Sequence, residues 1–184
     1  AGENAAGLNF IIPQNMLPRI QDLDERFSRS AQVHEQPGYI RALAVGLAHS
    51  GDSWFWILGL GVLWWFGDAY WKRLAVVMLI GIVITALIVM AIKFTVRRRR
   101  PQGEWGRIYR STDPHSFPSG HAARCTMLAV LALGFGPLWL GLIMLVWAPL
   151  VGLARTVMGV HYPSDIIAGM VLGVILGVLG VIFL

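Results

Sequence analysis

Charged side chains are scarce in this chain of 184 residues: 14% of the residues are charged, whereas 56% are hydrophobic, and the mean hydropathy is +0.62. This composition excludes a soluble globular domain and indicates an integral membrane protein. A helix needs about 20 residues to cross the hydrocarbon layer, so the length allows one domain, residues 1–184, and leaves no room for a second. We expect an all-α membrane bundle of about five to six helices.

Cysteine is nearly absent, since Cys125 is the only one and lies in an apolar run, which excludes an internal disulfide. The sequence also lacks a cluster of carboxylates or a Cys/His grouping, so we expect neither a metal ion nor another cofactor. The net charge is +5, and the arginines concentrate in one loop between apolar segments. We therefore expect membrane lipids, and not nucleic acid, as partners.

Residues 1–36 read as an N-terminal tail followed by an amphipathic helix. Between positions 16 and 31 apolar residues recur at helical spacing, and charged residues occupy the other face. The apolar positions are Met16, Leu17, Ile20, Leu23, Phe27 and Ala31. Two interpretations stay open, because such a helix can lie on the membrane surface or pack on the bundle. Both place it at the interface and not across the bilayer.

Residues 37–184 form the predicted bundle. Apolar segments cover residues 38–49, 54–66, 74–95, 122–135, 138–154 and 166–184, separated by Gly-Asp, Gly-Pro and Pro-Ser steps. We predict about five spans, with Asp52 or Ser53 as the N-cap of the short segment 54–66. Most tryptophans lie near segment ends, as expected for indole rings at the headgroup level. The long polar stretch 97–119 is of a length that is usually functional.

Polar groups gather at three places where apolar segments meet water. They are residues 93–101 (KFTVRRRRP), 118–121 (PSGH) and 155–165 (RTVMGVHYPSD). If the spans alternate through the membrane, all three emerge on the same side. Because such groups are expensive inside a bilayer, their convergence predicts a functional site of the kind that would bind phosphate at a membrane surface.

The first cluster supplies two cations at the end of one helix. Lys93 and Arg100 can reach one anion from two directions, arginine with a planar fork and lysine with a compact charge. A basic run after a membrane helix is also typical of a topology or headgroup-binding signal. We apply that interpretation to Arg97, Arg98 and Arg99.

The second and third clusters supply imidazoles. Ser119 and Gly120 open a helix whose N–H groups and dipole favour an oxyanion, and His121 follows in the first turn. Two structural alternatives stay open: Ser119 can be only an N-cap, and His121 can be only an interfacial polar residue. Asp165, four residues after His161, can accept a bond from one ring nitrogen and leave the other unprotonated. A structural His–Asp pair is the alternative.

Together the clusters resemble the type 2 phosphatidic acid phosphatase superfamily, whose motifs are KxxxxxxRP, PSGH and SRxxxxxHxxxD. The matching positions are Lys93, Arg100 and Pro101, then residues 118–121, then Arg155, His161 and Asp165. Ala154 departs from the pattern, because the family usually has serine there, which removes one hydroxyl near the phosphate. The resemblance covers about residues 52–184.

The resemblance implies an all-α bundle with its site at one membrane face. It implies metal-independent dephosphorylation of a lipid phosphate or diphosphate through a phosphohistidine, the lipid being phosphatidic acid, phosphatidylglycerol phosphate or a polyprenyl diphosphate. The implied catalytic residues are the nucleophile His161, Asp165 that orients it, and His121 as acid and then base. The implied phosphate-binding residues are Lys93, Arg100, Ser119, Gly120 and Arg155.

Other functions stay open: a soluble sugar-phosphate phosphatase of the same superfamily, a non-catalytic lipid-phosphate-binding protein, or a vanadium haloperoxidase, which would be soluble. A count of loop charges favours the cytoplasmic face of the cell membrane for the site, with Arg97, Arg98, Arg99, Arg107 and Arg110 against Lys72 and Arg73. Many members of the resembled family work on the outer face, so both faces stay open. Outside the motifs, Arg124 could touch a second phosphate or headgroup, but we expect it to extend toward the interface. Asp113 and His115 could shape the entrance to the site, but we expect them to be solvated loop residues.

Overall fold

The computed structural model describes residues 16–31, 38–101 and 113–184. Within these ranges the chain forms seven α-helices and no strand, which confirms the all-α prediction. In chain order they are α1 (Met16–Ala31), α2 (Tyr39–Ser50), α3 (Ser53–Phe66), α4 (Ala69–Val96), α5 (Gly120–Phe135), α6 (Leu138–Val157) and α7 (Pro163–Phe183). Trp105, Arg107 and Arg110 lie outside the described residues, as do the side chains at both ends of α1.

Three of the described helices are long and apolar enough to cross a membrane: α4 with 28 residues, α6 with 20 and α7 with 21. The apolar helices α3 and α5 are shorter, at 14 and 16 residues. These five helices coincide with the five segments that the sequence predicts as spans, and for α3 and α5 the spanning itself stays a prediction. On their outer faces Leu87, Val146 and Ile167 are each more than 60% exposed, as expected for side chains that contact lipid tails.

Helix α5 lies at the centre of the bundle, where it packs against α4, α6 and α7. Ten of its sixteen residues are buried. Leu74 and Met78 of α4 form a core with Met127 and Leu131 of α5. Because α5 is surrounded in this way, its first turn lies among the ends of the neighbouring helices.

Glycines on α7 allow it to approach α5 closely. A Cβ atom on Gly173 would lie 2.4 Å from the carbonyl oxygen of Ala123, and one on Gly169 would lie 2.5 Å from that of Ser119. Such small-residue contacts are common between membrane helices. The close approach also brings the start of α7 to the start of α5, where the Ser119 N–H donates to the Asp165 carbonyl over 3.0 Å.

The amphipathic helix α1 packs its polar side on the bundle. Asp24 and Ser28 are buried, whereas Ile20, Leu23 and Phe27 are exposed. Both interpretations of this helix therefore apply in part, because it packs on the bundle and also presents apolar side chains outward, as a helix on the membrane surface does. An exposed apolar stripe of this kind suits the headgroup region of a bilayer.

The contact between α5 and α7 gives a first prediction. We expect Gly173→Ala to destabilise the detergent-solubilised protein by about 1–3 kcal/mol, the usual cost of overpacking, because the new methyl group would overlap the Ala123 carbonyl. The measurement is the melting temperature. Gly59→Ala on α3 is the matched control, since a Cβ there meets nothing within 4 Å and alanine favours a helix. Equal melting temperatures for both variants would contradict the close packing.

Candidate active site

A cleft of about 250 Å³ lies where the end of α4, the start of α5 and the end of α6 meet. Its lining residues are Thr85, Ala86, Val89, Met90, Lys93, Asp113, Gly120, His121, Arg124, Arg155 and His161. The structure therefore brings residues of all three sequence motifs to one place. A ligand in the cleft would meet mostly apolar side chains of α4 on one side and cations and imidazoles on the other.

The first motif contributes two buried cations. Helix α4 ends just beyond Lys93, where Arg97 adopts a left-handed conformation with φ 53° and donates its N–H to the Lys93 carbonyl. The chain then turns back, so that Nη1 of Arg100 donates to the carbonyl oxygen of Val160 over 2.9 Å. Lys93 and Arg100 are 4% and 3% exposed, so they need anionic partners.

Asp113 is the anionic partner of both cations. Its Oδ2 accepts a bond from Nη2 of Arg100 over 2.8 Å and another from Nζ of Lys93. Burial raises the pKa of the Asp113 carboxyl, but the Lys93 bond and the Arg100 charge outweigh burial and hold that pKa below its usual range. The prediction that Asp113 is only a solvated loop residue is therefore wrong. Its carboxylate takes the acceptor position that the sequence predicts for a phosphate oxygen.

The second motif divides between helix capping and the cleft. Ser119 is fully buried at the N-cap of α5, and its Oγ accepts a bond from the Ala122 N–H over 3.4 Å. Gly120 and His121 line the cleft directly. The capping interpretation of Ser119 thus describes its contacts, while the helix N-terminus that it caps faces the site.

The third motif places an imidazole beside Arg100. Nε2 of His161 lies 3.3 Å from Nη1 of Arg100. A guanidinium can only donate, so Nε2 is the acceptor and the ring proton belongs on Nδ1. Burial lowers the pKa of His161, and the charges of Arg100, Arg155 and Lys93 lower it further. The structure therefore favours a neutral His161 with a lone pair on Nε2.

Asp165 lies next to His161 but does not reach it. Its Oδ2 is 3.7 Å from Nδ1 of His161, longer than a hydrogen bond, and Nδ1 has no hydrogen-bond partner among the described residues. The same carboxylate oxygen accepts the Tyr162 N–H over 2.9 Å, and Oδ1 accepts from Arg98 over 2.7 Å. Asp165 therefore fixes the start of α7 and provides a negative charge on the protonated side of the ring.

Arg98 connects this carboxylate to α1. Its Nη2 donates to Oδ2 of Asp24 over 2.6 Å, while its Nη1 donates to Asp165 and to Oγ of Ser164. Asp24 also accepts the Ser164 N–H over 3.1 Å. For Arg98 the prediction of a headgroup or topology role alone is wrong, because its guanidinium bonds to two buried carboxylates and is only partly exposed. Arg97 and Arg99 are exposed.

Arg124 is held inside the protein as well. It is 8% exposed, its Nε donates to the carbonyl oxygen of Gly51 over 3.0 Å, and its Nη1 donates to Oγ of Ser53. The prediction that it extends toward the interface is therefore wrong. Its contacts hold the corner between α2 and α3 against α5, and that corner brings Asp52 to within 2.6 Å of His121.

Comparison with known proteins agrees with this architecture. The sequence model of the PAP2 superfamily matches residues 73–184. An undecaprenyl-diphosphatase from Sulfolobus acidocaldarius is 30% identical over 144 residues, which cover 76% of this chain and 68% of that protein. A decaprenylphosphoryl-5-phosphoribose phosphatase from Mycobacterium tuberculosis is 33% identical over 144 residues, with 78% and 79% coverage.

A solved structure shows the same fold. The crystal structure of a transmembrane PAP2-type phosphatidylglycerolphosphate phosphatase from Bacillus subtilis superposes with a TM-score of 0.71. The two chains are 27% identical, and the match covers 94% of this chain and 88% of the other. Fold and site together define a multi-pass membrane protein with a cationic cleft that contains two histidines. The chain belongs to the PAP2 superfamily, since the family model matches more than half of its length.

The position of Asp113 gives a second prediction. We expect Asp113→Asn to bind orthovanadate, a phosphate analogue, about tenfold more tightly, because one charge-assisted hydrogen bond contributes roughly 1.5–3 kcal/mol and the incoming anion no longer competes with a carboxylate. The shift of melting temperature with vanadate concentration measures the affinity. Asp68→Asn is the control, because Asp68 caps α4 through the Tyr70 and Trp71 N–H groups, and asparagine caps equally well. Weaker vanadate binding by Asp113→Asn would show that the carboxylate only orders the cations.

Proposed function

We propose that this PAP2 enzyme is a membrane lipid phosphatase that hydrolyses a phosphate monoester or diphosphate of a lipid through a phosphohistidine, without a metal ion. The observation that carries the proposal is the neutral His161 beside Arg100 in a cleft that also contains His121, Lys93 and Arg155. Phosphoryl transfer requires mainly positioning and charge neutralisation from a protein, and three cationic side chains can supply that charge.

The phosphoryl oxygens would take the place of the Asp113 carboxylate. Lys93 and Arg100 already donate to one oxygen there, and Arg155 lines the same cleft. The N–H of Gly120, at the N-terminus of α5, adds a backbone donor and the positive end of the helix dipole. Ser119 supports this binding site by capping the same helix terminus, and its hydroxyl is a further donor for the phosphoryl group.

The reaction then proceeds in two steps. Nε2 of His161 attacks phosphorus, the bond to the leaving alkoxide breaks, and His121 gives that alkoxide a proton. Water then attacks the phosphohistidine, its proton passes to His121, and inorganic phosphate leaves. Asp165, 3.7 Å from Nδ1 of His161, stabilises the positive charge that the ring gains during attack. The two histidines must therefore start in opposite protonation states.

The walls of the cleft and the names of the relatives support a lipid as the substrate. Ala86, Val89 and Met90 of α4 form an apolar surface beside the cations, where a hydrocarbon chain attached to the phosphate would lie. The relatives in the comparison are named for undecaprenyl diphosphate, decaprenylphosphoryl-5-phosphoribose and phosphatidylglycerolphosphate. Polyprenyl phosphates and diphosphates are therefore the first candidates, followed by phosphatidylglycerol phosphate and phosphatidic acid.

A phosphate-release assay tests the proposal. We expect the purified, detergent-solubilised chain to release phosphate from lipid phosphates with a chelator present, because side-chain cations supply the charge that a metal would. His161→Ala should abolish release, with a loss of at least about 10⁴-fold, since it removes the nucleophile. His115→Ala is the matched control, because His115 is a loop histidine that does not line the cleft.

Each other outcome has a defined meaning. Loss of turnover on chelation would contradict the metal-independent mechanism. Hydrolysis of a sugar phosphate as fast as of any lipid would favour the soluble sugar-phosphate phosphatase. Binding of lipid phosphates without turnover, unchanged in His161→Ala, would favour the non-catalytic binding protein.

The surroundings of His161 give a prediction for the pH dependence. A neutral His161 is required for attack, and burial with Arg100, Arg155 and Lys93 lowers its pKa. Activity is then kept as the pH falls through the ordinary histidine range and is lost only below it. We expect the acid limb of kcat/KM to lie below that range. The second ionisation of the substrate phosphate also falls at about pH 6. The profile is therefore measured with two esters that differ in phosphate pKa, so that ionisation of the substrate can be told from ionisation of His161. The prediction would be contradicted if the acid limb of kcat/KM lay within the ordinary histidine range and at the same pH for both esters.

A further inference from the structure

The corner between α2 and α3 places a carboxylate and a second histidine against His121. Oδ1 of Asp52 lies 2.6 Å from Nε2 of His121, and Oδ2 lies 2.9 Å from Nδ1 of His49. Asp52 occupies the N-cap position of α3, yet its side chain accepts no bond from that helix, although N-cap carboxylates usually do. The carboxylate is directed to the two histidines instead.

The corner is held rigidly at this place. Trp56 donates to the Ser50 carbonyl over 3.1 Å, Trp147 donates to Oγ of Ser50 over 2.9 Å, and Arg124 donates to the Gly51 carbonyl. Gly51 is required for the close approach, because a Cβ there would lie 2.9 Å from Val151 and 3.3 Å from Cδ2 of His121. These contacts come from α3, α6 and α5, so the position of Asp52 does not depend on a single side chain.

Positive charge surrounds His121 on the other sides. The charged and titratable groups that share its surroundings are Arg124 on α5, Lys93 on α4, Arg155 on α6, His49 on α2, and Asp113 and His161 in the loops. Cations oppose the protonation of an imidazole, and Asp113 already bonds to Lys93 and Arg100. Asp52 is the one carboxylate in hydrogen-bond contact with His121 among the described side chains.

Asp52 is ionised at working pH. Burial raises the pKa of its carboxyl group, but the hydrogen bonds from His121 and His49 outweigh burial and hold that pKa well below its usual range. A carboxylate that accepts bonds from two ring nitrogens has a fixed orientation as well as a fixed charge. A fixed charge stabilises the protonated form of an acid catalyst, and a fixed orientation holds its ring in place.

We propose that Asp52 is a positioning residue for the reaction: it bonds Nε2 of His121, stabilises the imidazolium, and leaves Nδ1 as the atom that transfers the proton. The inference rests on the proposed function, in which His121 protonates the leaving alkoxide. During attack by His161 the proton moves from Nδ1 to the leaving oxygen, and the water of the second step returns a proton to His121. Asp52 keeps its negative charge in both steps, and its second oxygen, Oδ2, stays bonded to His49.

Asp52→Asn in the full chain tests this role, because asparagine keeps the shape and an acceptor oxygen but removes the charge. The readout is kcat/KM against pH for two substrates: a lipid phosphate monoester, whose alkoxide needs a proton, and 4-nitrophenyl phosphate, whose leaving group needs none. We expect a loss of about 100-fold on the lipid ester, the lower end of general-acid contributions, and less than about fivefold on the aryl ester. On the lipid ester the basic limb should move to lower pH.

Two further variants separate charge from structure. Asp52→Glu keeps the charge and should keep the ratio of the two substrates within about fivefold of wild type. Asp52→Ser, a second neutral variant with a good N-cap residue, replaces Asp52→Asn if that protein does not fold. Equal losses on both esters, or an unmoved basic limb in a folded neutral variant, would overturn the proposal.

The test separates this inference from the proposed function. If wild type hydrolyses both esters, His161→Ala abolishes both activities, and the neutral Asp52 variants behave like wild type, the phosphohistidine enzyme stands and the role of Asp52 is refuted. If wild type hydrolyses neither lipid nor aryl esters, the proposed function fails and the inference fails with it. A selective loss on the lipid ester supports both.

Discussion

Buried positive charge at one end of a membrane bundle requires a nearby anion, and the site of this protein is organised around that requirement. Lys93, Arg100 and Arg155 are all less than 5% exposed, and unpaired charges at such depth are strongly unfavourable. The Asp113 carboxylate bonds two of them directly. In the proposed reaction a substrate phosphate would meet the same donors with more oxygens and more charge, so the contacts that stabilise the buried cations would also select an anionic ligand.

Helix packing determines where these charges meet. The glycines of α7 bring its backbone against α5, and the Ser119 N–H bonds to the carbonyl of Asp165. This contact puts the N-termini of two helices side by side, with His161 in the loop before one and His121 in the first turn of the other. Two helix N-termini, which favour anions, thereby lie beside the proposed nucleophile and the proposed acid.

The three motifs could be predicted from the sequence because each is short and its polar residues stand out in apolar surroundings. Asp24, Asp52 and the role of Arg98 could not, because their partners lie 67 to 74 positions away along the chain and no periodicity records such contacts. For Asp52 the sequence indicates only a helix cap. The cytoplasmic location of the site stays a prediction from the arginine count, and Arg98, now bonded to two carboxylates, counts less toward topology than its neighbours.

The two histidines differ in their carboxylate contacts, and the difference fits the roles proposed for them. His161 lies among cations, with Asp165 3.7 Å away and bonded to Arg98, so its neutral form is favoured and Nε2 can attack. His121 meets Asp52 at 2.6 Å, a contact that favours a bound proton. In the proposed mechanism, this difference in carboxylate contacts would let one site provide a nucleophile and an acid at the same pH. The difference between the histidines arises because Asp165 is bonded to Arg98, whereas Asp52 is bonded to His121 itself.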